Sequence, residues 1–285
     1  MYFYVDESGN TGNRLFDVNQ PTLYYGLLSC RKNLDMTADR MLAKLRSELE
    51  VPRIHASELG VGRLTSVYKA FTKYQKDNDI RFNFYQVQKR DHAIISFFDQ
   101  VFDSGMNDAV VHEHYFTPIR YKLLLEVARL FDDALSERAW IARQNQNTAE
   151  CEDELKATCV ELRTRLQRIP DQRSRELIDG ALAWAIANPA AIEYGTSNRE
   201  SALQISPNLV GFQFVLHGIA ATSASVGRAV RSIIVDRQSE FNNAQQELNG
   251  IYRAMRGIQH DMGAGMPKLD MRNMPDRNIE FRPGD

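Results

Sequence analysis

Two aspartates each follow an apolar run, one near each end of the chain: Asp6 comes after Tyr2-Phe3-Tyr4-Val5, and Asp236 after Ser232-Ile233-Ile234-Val235. In open α/β sheets, ligands bind outside the carboxyl ends of the strands. Two strand-end carboxylates on neighbouring strands would lie close together, because paired strands run about 4.8 Å apart. Such a donor set suits Mg²⁺ or Mn²⁺, hard cations that take carboxylate and water oxygens. Two such ions about 4 Å apart stabilise both the attacking and the leaving oxygen of a phosphodiester. Each aspartate also has a plainer role available, Asp6 as the cap of the Ser8-Gly9-Asn10 turn and Asp236 as the start of a loop or the cap of the next helix. Their shared position favours the metal reading. Glu58, in His55-Ala56-Ser57-Glu58-Leu59 just before a helix, reads from spacing alone as a partner of that helix's N-terminal dipole. His55 offers a proton shuttle or a weak ligand, although a lone histidine is more often structural. Glu7 points to the opposite face from Asp6 if the strand persists, and ranks below it as a further ligand.

The elements that would position these residues follow from composition and period. Met1 to Val5 is a strand running into the turn formers Asp6-Glu7-Ser8-Gly9-Asn10-Thr11-Gly12, and Thr22 to Cys30 is its antiparallel return. Met41, Leu42, Leu45 and Leu49 fall at helical spacing before Pro52, and Leu64 to Lys76 repeats the pattern. Ile80 to Val87 alternates in period two, with one face buried and the other more polar. Ser232 to Asp236 reads as a central strand buried on both faces. It is preceded by an apolar helix over Leu209 to Ala221, followed by a helix from about Asn243 to Met255, and trailed by a short strand at Asn278 to Phe281.

Between these parts the period is helical throughout. Tyr121, Leu124, Leu125, Ala128, Phe131 and Leu135 form one stripe. Leu155, Cys159, Leu162, Leu166 and Ile169 alternate in steps of four and three, the spacing of a short coiled-coil-like seam. That seam predicts a one-sided helix and self-association through it. Leu177 to Ala185 adds another helix before Asn188-Pro189. The expected architecture is α/β, a mixed sheet flanked by helices, with residues 1–110 and 205–285 as the core and 111–204 as a large all-helical insertion.

Three blocks resemble a known family. Tyr4-Val5-Asp6-Glu7-Ser8-Gly9, His55-Ala56-Ser57-Glu58-Leu59 and Ile234-Val235-Asp236-Arg237-Gln238 resemble the prokaryotic domain of unknown function 3800 family, the first block being the most specific. The resemblance touches both ends of the chain and leaves the helical middle uncovered. It implies a ribonuclease H-like core, a metal site of Asp6, Glu58 and Asp236 binding Mg²⁺ or Mn²⁺, and hydrolysis of nucleic-acid phosphodiesters. Members continue past the final strand into an apolar helix bearing another aspartate, whereas this sequence ends at Arg282-Pro283-Gly284-Asp285. No role passes to Asp285, and the expectation is an incomplete site or a shortened chain.

Composition bounds the partners. With 285 residues, 43% hydrophobic and 25% charged, the chain has ordinary globular composition. The net charge of -2 gives no global attraction to nucleic acid, so a nucleic-acid partner, DNA or RNA, must meet a local basic patch. Arg163, Arg165, Arg168, Arg173 and Arg175 concentrate positive charge, but Glu161, Asp171 and Glu176 dilute it and a solvated helix face is the default. His112-Glu113-His114 reads as exposed loop rather than a metal motif. Cys30, Cys151 and Cys159 are expected to be reduced thiols, and the absence of a signal-peptide pattern or a long apolar run points to a cytoplasmic protein with no membrane partner. Two alternatives to the nuclease stand. One is a catalytically silent binding or assembly module acting through the helical insertion; the other is a metal-dependent phosphatase or nucleotide hydrolase.

Overall fold

The computed structural model describes residues 1–9, 12, 14–237, 240–255, 271–275 and 277–282. Asn10, Thr11, Gln238, the segment 256–270 and residues 283–285, Asp285 among them, lie outside the described residues.

Apolar alternation makes β1 (Tyr2–Ser8), and the strand persists two residues beyond Asp6 instead of ending there. The reason is pairing: Glu7 and Ser8 still face Tyr25 and Tyr24 of the antiparallel β2 (Thr22–Cys30). The chain leaves the strand at Gly9, whose φ of +111° belongs to a glycine and whose Cβ, if added, would lie 2.7 Å from the Thr22 carbonyl oxygen. A short α1 (Leu34–Thr37), capped by Asn33, leads into the hairpin of α2 (Asp39–Leu49) and α3 (Ala56–Asp77). Leu45, Leu49, Leu59 and Val67 close a small core between these two helices. Then β3 (Arg81–Gln88) pairs antiparallel with β2 along its whole length.

The chain next turns helical, as its period predicts. α4 (Lys89–Val101), α5 (His112–Phe116), α6 (Ile119–Ala128), α7 (Asp133–Gln144), α8 (Thr148–Thr164), α9 (Gln172–Ala187), α10 (Pro189–Ile192) and α11 (Arg199–Gln204) follow one another. Their shared core runs from Phe97 to Tyr194. Two sequence readings change here. The stripe from Tyr121 to Leu135 is broken, because Asp132 accepts the Leu135 N–H and starts a new helix; Tyr121 and Leu125 are exposed, and Leu123 and Val127 fill the core instead. The four-three seam is not a free edge: Leu155, Cys159, Leu162 and Ile169 are fully buried within the chain's own bundle. Self-association through this seam therefore loses its basis. His112 to His114 lies on the one-turn α5 rather than in loop. Cys30, Cys151 and Cys159 are free and buried.

The sheet resumes with α12 (Pro207–Val226), β4 (Ser232–Asp236), α13 (Asn242–Ala254) and β5 (Glu280–Arg282). The order is β3-β2-β1-β4-β5. β4 runs parallel to both β1 and β5, so β2 alone opposes the other four strands. The result is an α/β protein built on a mixed sheet. Asp6 and Asp236 belong to neighbouring strands of it, as their sequence positions predict.

Contrary to the expectation of no long apolar run, α12 is long and apolar enough by length and composition to cross a bilayer. In this fold Phe212, Val215, Leu216, Ile219 and Ala220 pack on Phe3, Val5, Tyr25, Leu27 and Val235, covering one face of the sheet. Two glycines let the helix approach this closely. A Cβ on Gly211 would lie 2.6 Å from the Tyr25 ring, and one on Gly218 would overlap the Tyr85 hydroxyl. Tyr85 and Val87 therefore face α12, which turns Phe82 and Phe84 outward. The sequence reading of β3, with a polar outer face, is reversed: the aromatic pair is on the exposed side.

Because Tyr25 is fully buried and its hydroxyl donates to the Asn208 carbonyl at 3.1 Å, the ring cannot step aside. Gly211→Ala is expected to cost about 1–3 kcal/mol by overpacking, read from chemical denaturation. An unchanged midpoint would show that α12 sits less tightly on the sheet than described.

Candidate functional site

The open face of the sheet, opposite α12, carries the candidate residues. In register, Val5 lies beside Val235, so the next residues, Asp6 and Asp236, are neighbours across the parallel pair. Side chains at matching positions of parallel strands share a face, and the alternation puts Tyr4 and Asp6 opposite the buried Phe3 and Val5. Burial by the surrounding strand ends, followed by the negative charge of Asp236, raises the carboxyl pKa of Asp6, while the Glu7 N–H and His55 oppose the rise. One Asp236 oxygen accepts the Arg237 N–H at 2.7 Å, which fixes that carboxylate at the strand end.

Glu7 points to the other face, as its position predicts. There it lies close to Tyr25, beneath α12, and its Oε2 atom is buried without a hydrogen-bond partner. Burial, then Asp6 and Asp236, push its pKa from the ordinary 4.5 to about 8. Asn249 on α13, fully buried on the same side of the sheet, also has an unpartnered side-chain amide. The strand ends thus gather three carboxyl groups, of which Asp6 and Glu7 are pushed toward their neutral forms.

Glu58 is placed differently. It lies in the first turn of α3, before the kink at Gly60, whose φ is 68°. Its carboxylate pairs with the Arg53 guanidinium and lies 3.9 Å from the His55 ring, with 53% of the side chain exposed. The Arg53 hydrogen bond holds its pKa below the usual range. His55 also reaches Asp6 electrostatically, so the α3 entrance borders the site. Glu58 itself faces Arg53. Among the described residues no group of three or more His, Cys, Asp or Glu side chains is close enough to hold a metal ion. The structure brings Asp6 and Asp236 together, sets Glu7 behind them, and leaves Glu58 engaged elsewhere.

Residues that sequence reasoning passed over complete the face. Gly26 lies between Asp6 on one side and Phe84 on the other. Phe84 is 74% exposed and Phe82 is 52% exposed, with ring centroids 6.1 Å apart and planes 13° from parallel. On the far side, Arg282 is in register with Asp236. The Phe82-Asn83-Phe84 alternation was a visible signal, but Tyr85 and Val87 alternate too, and only the position of α12 decides which set is covered. The arginines near the end of α8 are mostly engaged: Arg163 with Asp179 at 2.6 Å, Arg165 with Asp132 at 2.9 Å, and Arg173 with Glu176 at 3.5 Å. Arg163 and Arg173 are solvated as expected, whereas Arg165 is largely buried and also donates to the Leu130 carbonyl.

No protein-family model, curated protein or solved structure matches this chain.

The Glu7 shift sets a pH dependence. The folded state holds this proton more tightly than the unfolded chain, so the stability it confers is full below about pH 4.5 and is lost as pH rises to about 8. Glu7→Gln is expected to remove that part of the slope and to raise the metal-free melting temperature at pH 8 more than at pH 5. Equal gains at both pH values would place Glu7 in solvent rather than in the repulsive site.

Proposed function

We propose that this protein is a divalent-metal-dependent nuclease with a ribonuclease H-like core, Asp6 and Asp236 being its principal metal ligands. The observation that carries the reading is their adjacency on parallel β1 and β4, at the carboxyl side of the sheet where ligands bind in open α/β folds. The mixed order β3-β2-β1-β4-β5 with β2 alone reversed is compatible with that core. The resemblance of the Tyr4-to-Gly9, His55-to-Leu59 and Ile234-to-Gln238 blocks to the domain of unknown function 3800 family points the same way.

The donor set fits a hard cation. Adjacent carboxylates repel one another, and a cation between Asp6 and Asp236 would relieve that repulsion. Asp6 and Asp236 would hold Mg²⁺ or Mn²⁺. Such an ion supplies Lewis-acid stabilisation of phosphate oxygens and a more acidic bound water. The chain's own contribution is to fix two ligands on a rigid sheet and to place His55 at the rim, within electrostatic reach of Asp6. Glu58 becomes a ligand only if it leaves Arg53.

That Arg53 pair supports a second reading, a catalytically silent module that keeps the core and binds through its helical part. Incubation with labelled DNA, RNA and nucleotides separates the readings. Metal-stimulated cleavage of DNA or RNA is expected, with Asp6→Asn and Asp236→Asn each abolishing it and the double variant hardly worse, because ligands of one ion act as a unit. Turnover of nucleotides alone would make the protein a phosphatase. No turnover of any substrate with either metal would favour the silent module.

A further inference from the structure

The open face carries more than carboxylates. Following the register across all five strands gives one row: Phe84 on β3, Gly26 on β2, Asp6 on β1, Asp236 on β4 and Arg282 on β5. We infer that this row is a binding track for single-stranded nucleic acid, with an unpaired base stacked on Phe84 and Phe82 beside the phosphate held at Asp6 and Asp236. The inference rests on the hydrolase reading for its central phosphate and goes beyond it in naming the strand state and the contacts that select it.

Three observations support the track. The first is the aromatic pair. Large apolar rings normally bury themselves, yet these two stand out from the sheet with nearly parallel planes, on an edge strand. A nucleobase offers a flat π-face that matches such rings, and in a duplex that face is already taken by the neighbouring base pair.

The second is the floor. A groove of about 330 Å³ runs between Tyr4, Asp6, Tyr24, Gly26, Phe82 and Phe84, at the small end of ligand-site volumes. Gly26 keeps it open. A Cβ there would lie 3.8 Å from the Asp6 carbonyl oxygen and 4.0 Å from the Phe84 ring, so a larger side chain would fill the space between the carboxylate and the aromatics. Phe84 is two strands from Asp6, about 10 Å.

The third is charge. At the starting end of β4 and β5, away from Asp236, a second groove of about 530 Å³ is lined by Arg231, Arg277 and Arg282 together with Glu280. Arg282 is held there by Asp35 and Glu280, each at 2.6 Å. With Arg282 paired to two carboxylates, Arg231 and Arg277 are the positive charge this end of the sheet offers to a phosphate backbone.

The test is binding of a fluorescent oligothymidylate by the full chain, read by anisotropy in Ca²⁺, beside the same oligomer with abasic sites. Phe84→Ala and Phe82→Ala are each expected to weaken binding about ten-fold, the scale of one lost base–aromatic stack. Because both rings are exposed, melting temperatures should hold. Phe84→Trp should restore affinity where Phe84→Leu does not, which separates stacking from apolar contact. Gly26→Leu should weaken binding while leaving Phe84 in place. The abasic strand should bind wild type as weakly as the thymidylate binds Phe84→Ala. Equal affinity for the normal and abasic strands, full affinity in Phe84→Leu, or a loss that tracks a change in oligomeric state would overturn the track. The two readings fail separately. Strand binding through Phe82 and Phe84 without any cleavage removes the hydrolase and leaves the track, whereas cleavage of single strands unaffected by Phe84→Ala removes the track and leaves the hydrolase.

Discussion

The parallel pairing of β1 with β4 is the constraint on which the rest depends. It joins the first residues of the chain to a strand beginning at Ser232, and it is reinforced at its start: the Met1 amino group donates to the Ala229 carbonyl at 2.6 Å, and the Arg231 N–H to the Met1 carbonyl at 2.7 Å. A one-residue slip would turn every side chain of β4 to the other face. It would expose Ile233 and Val235 and carry Asp236 away from Asp6. The hydrophobic contact of Phe3, Val5, Ile233 and Val235 with α12 therefore sets the register, and the register sets the carboxylate pair. The apolar packing that holds the sheet together also brings two like charges side by side.

That juxtaposition has an energetic cost in the metal-free chain. Asp6 and Glu7 are both shifted toward their neutral forms by burial and by neighbouring carboxylates, and one Glu7 oxygen lacks a partner beneath α12. Structural carboxylates usually gain partners; Glu58 shows this, tied to Arg53 with its pKa lowered. Asp6 and Glu7 show the opposite, raised by burial and by neighbouring carboxylates. The same face carries exposed phenylalanines on one flank and Arg282 on the other, groups that differ in chemistry but share the sheet's register.

Much of this frame was legible in the residues. Asp6 and Asp236 were visible because each follows an apolar run, and the all-helical stretch was visible because its period never returns to two. What failed were decisions that sequence period cannot make. The β1 run continues to Ser8 because β2 pairs with it, a long-range fact. Phe82 and Phe84 exchanged faces with Tyr85 and Val87 because α12 brings glycines to one side of β3. The Leu155 to Ile169 seam looked unpartnered because its partners, such as Ile178, Ala181 and Leu182, are a helix away. Glu58 was selected by resemblance, while its local partner Arg53, five residues earlier, was overlooked.

The proposed metal site makes Asp6 and Asp236 ligands of one cation. Calorimetric titration of Mn²⁺ into metal-free protein tests it most directly, comparing wild type, Asp6→Asn, Asp236→Asn and Glu58→Gln at one pH. Saturable binding by wild type, loss of that binding in either aspartate variant, and near-wild-type affinity in Glu58→Gln are expected. Binding that survives Asp236→Asn, or that depends on Glu58 instead of Asp6, would contradict it.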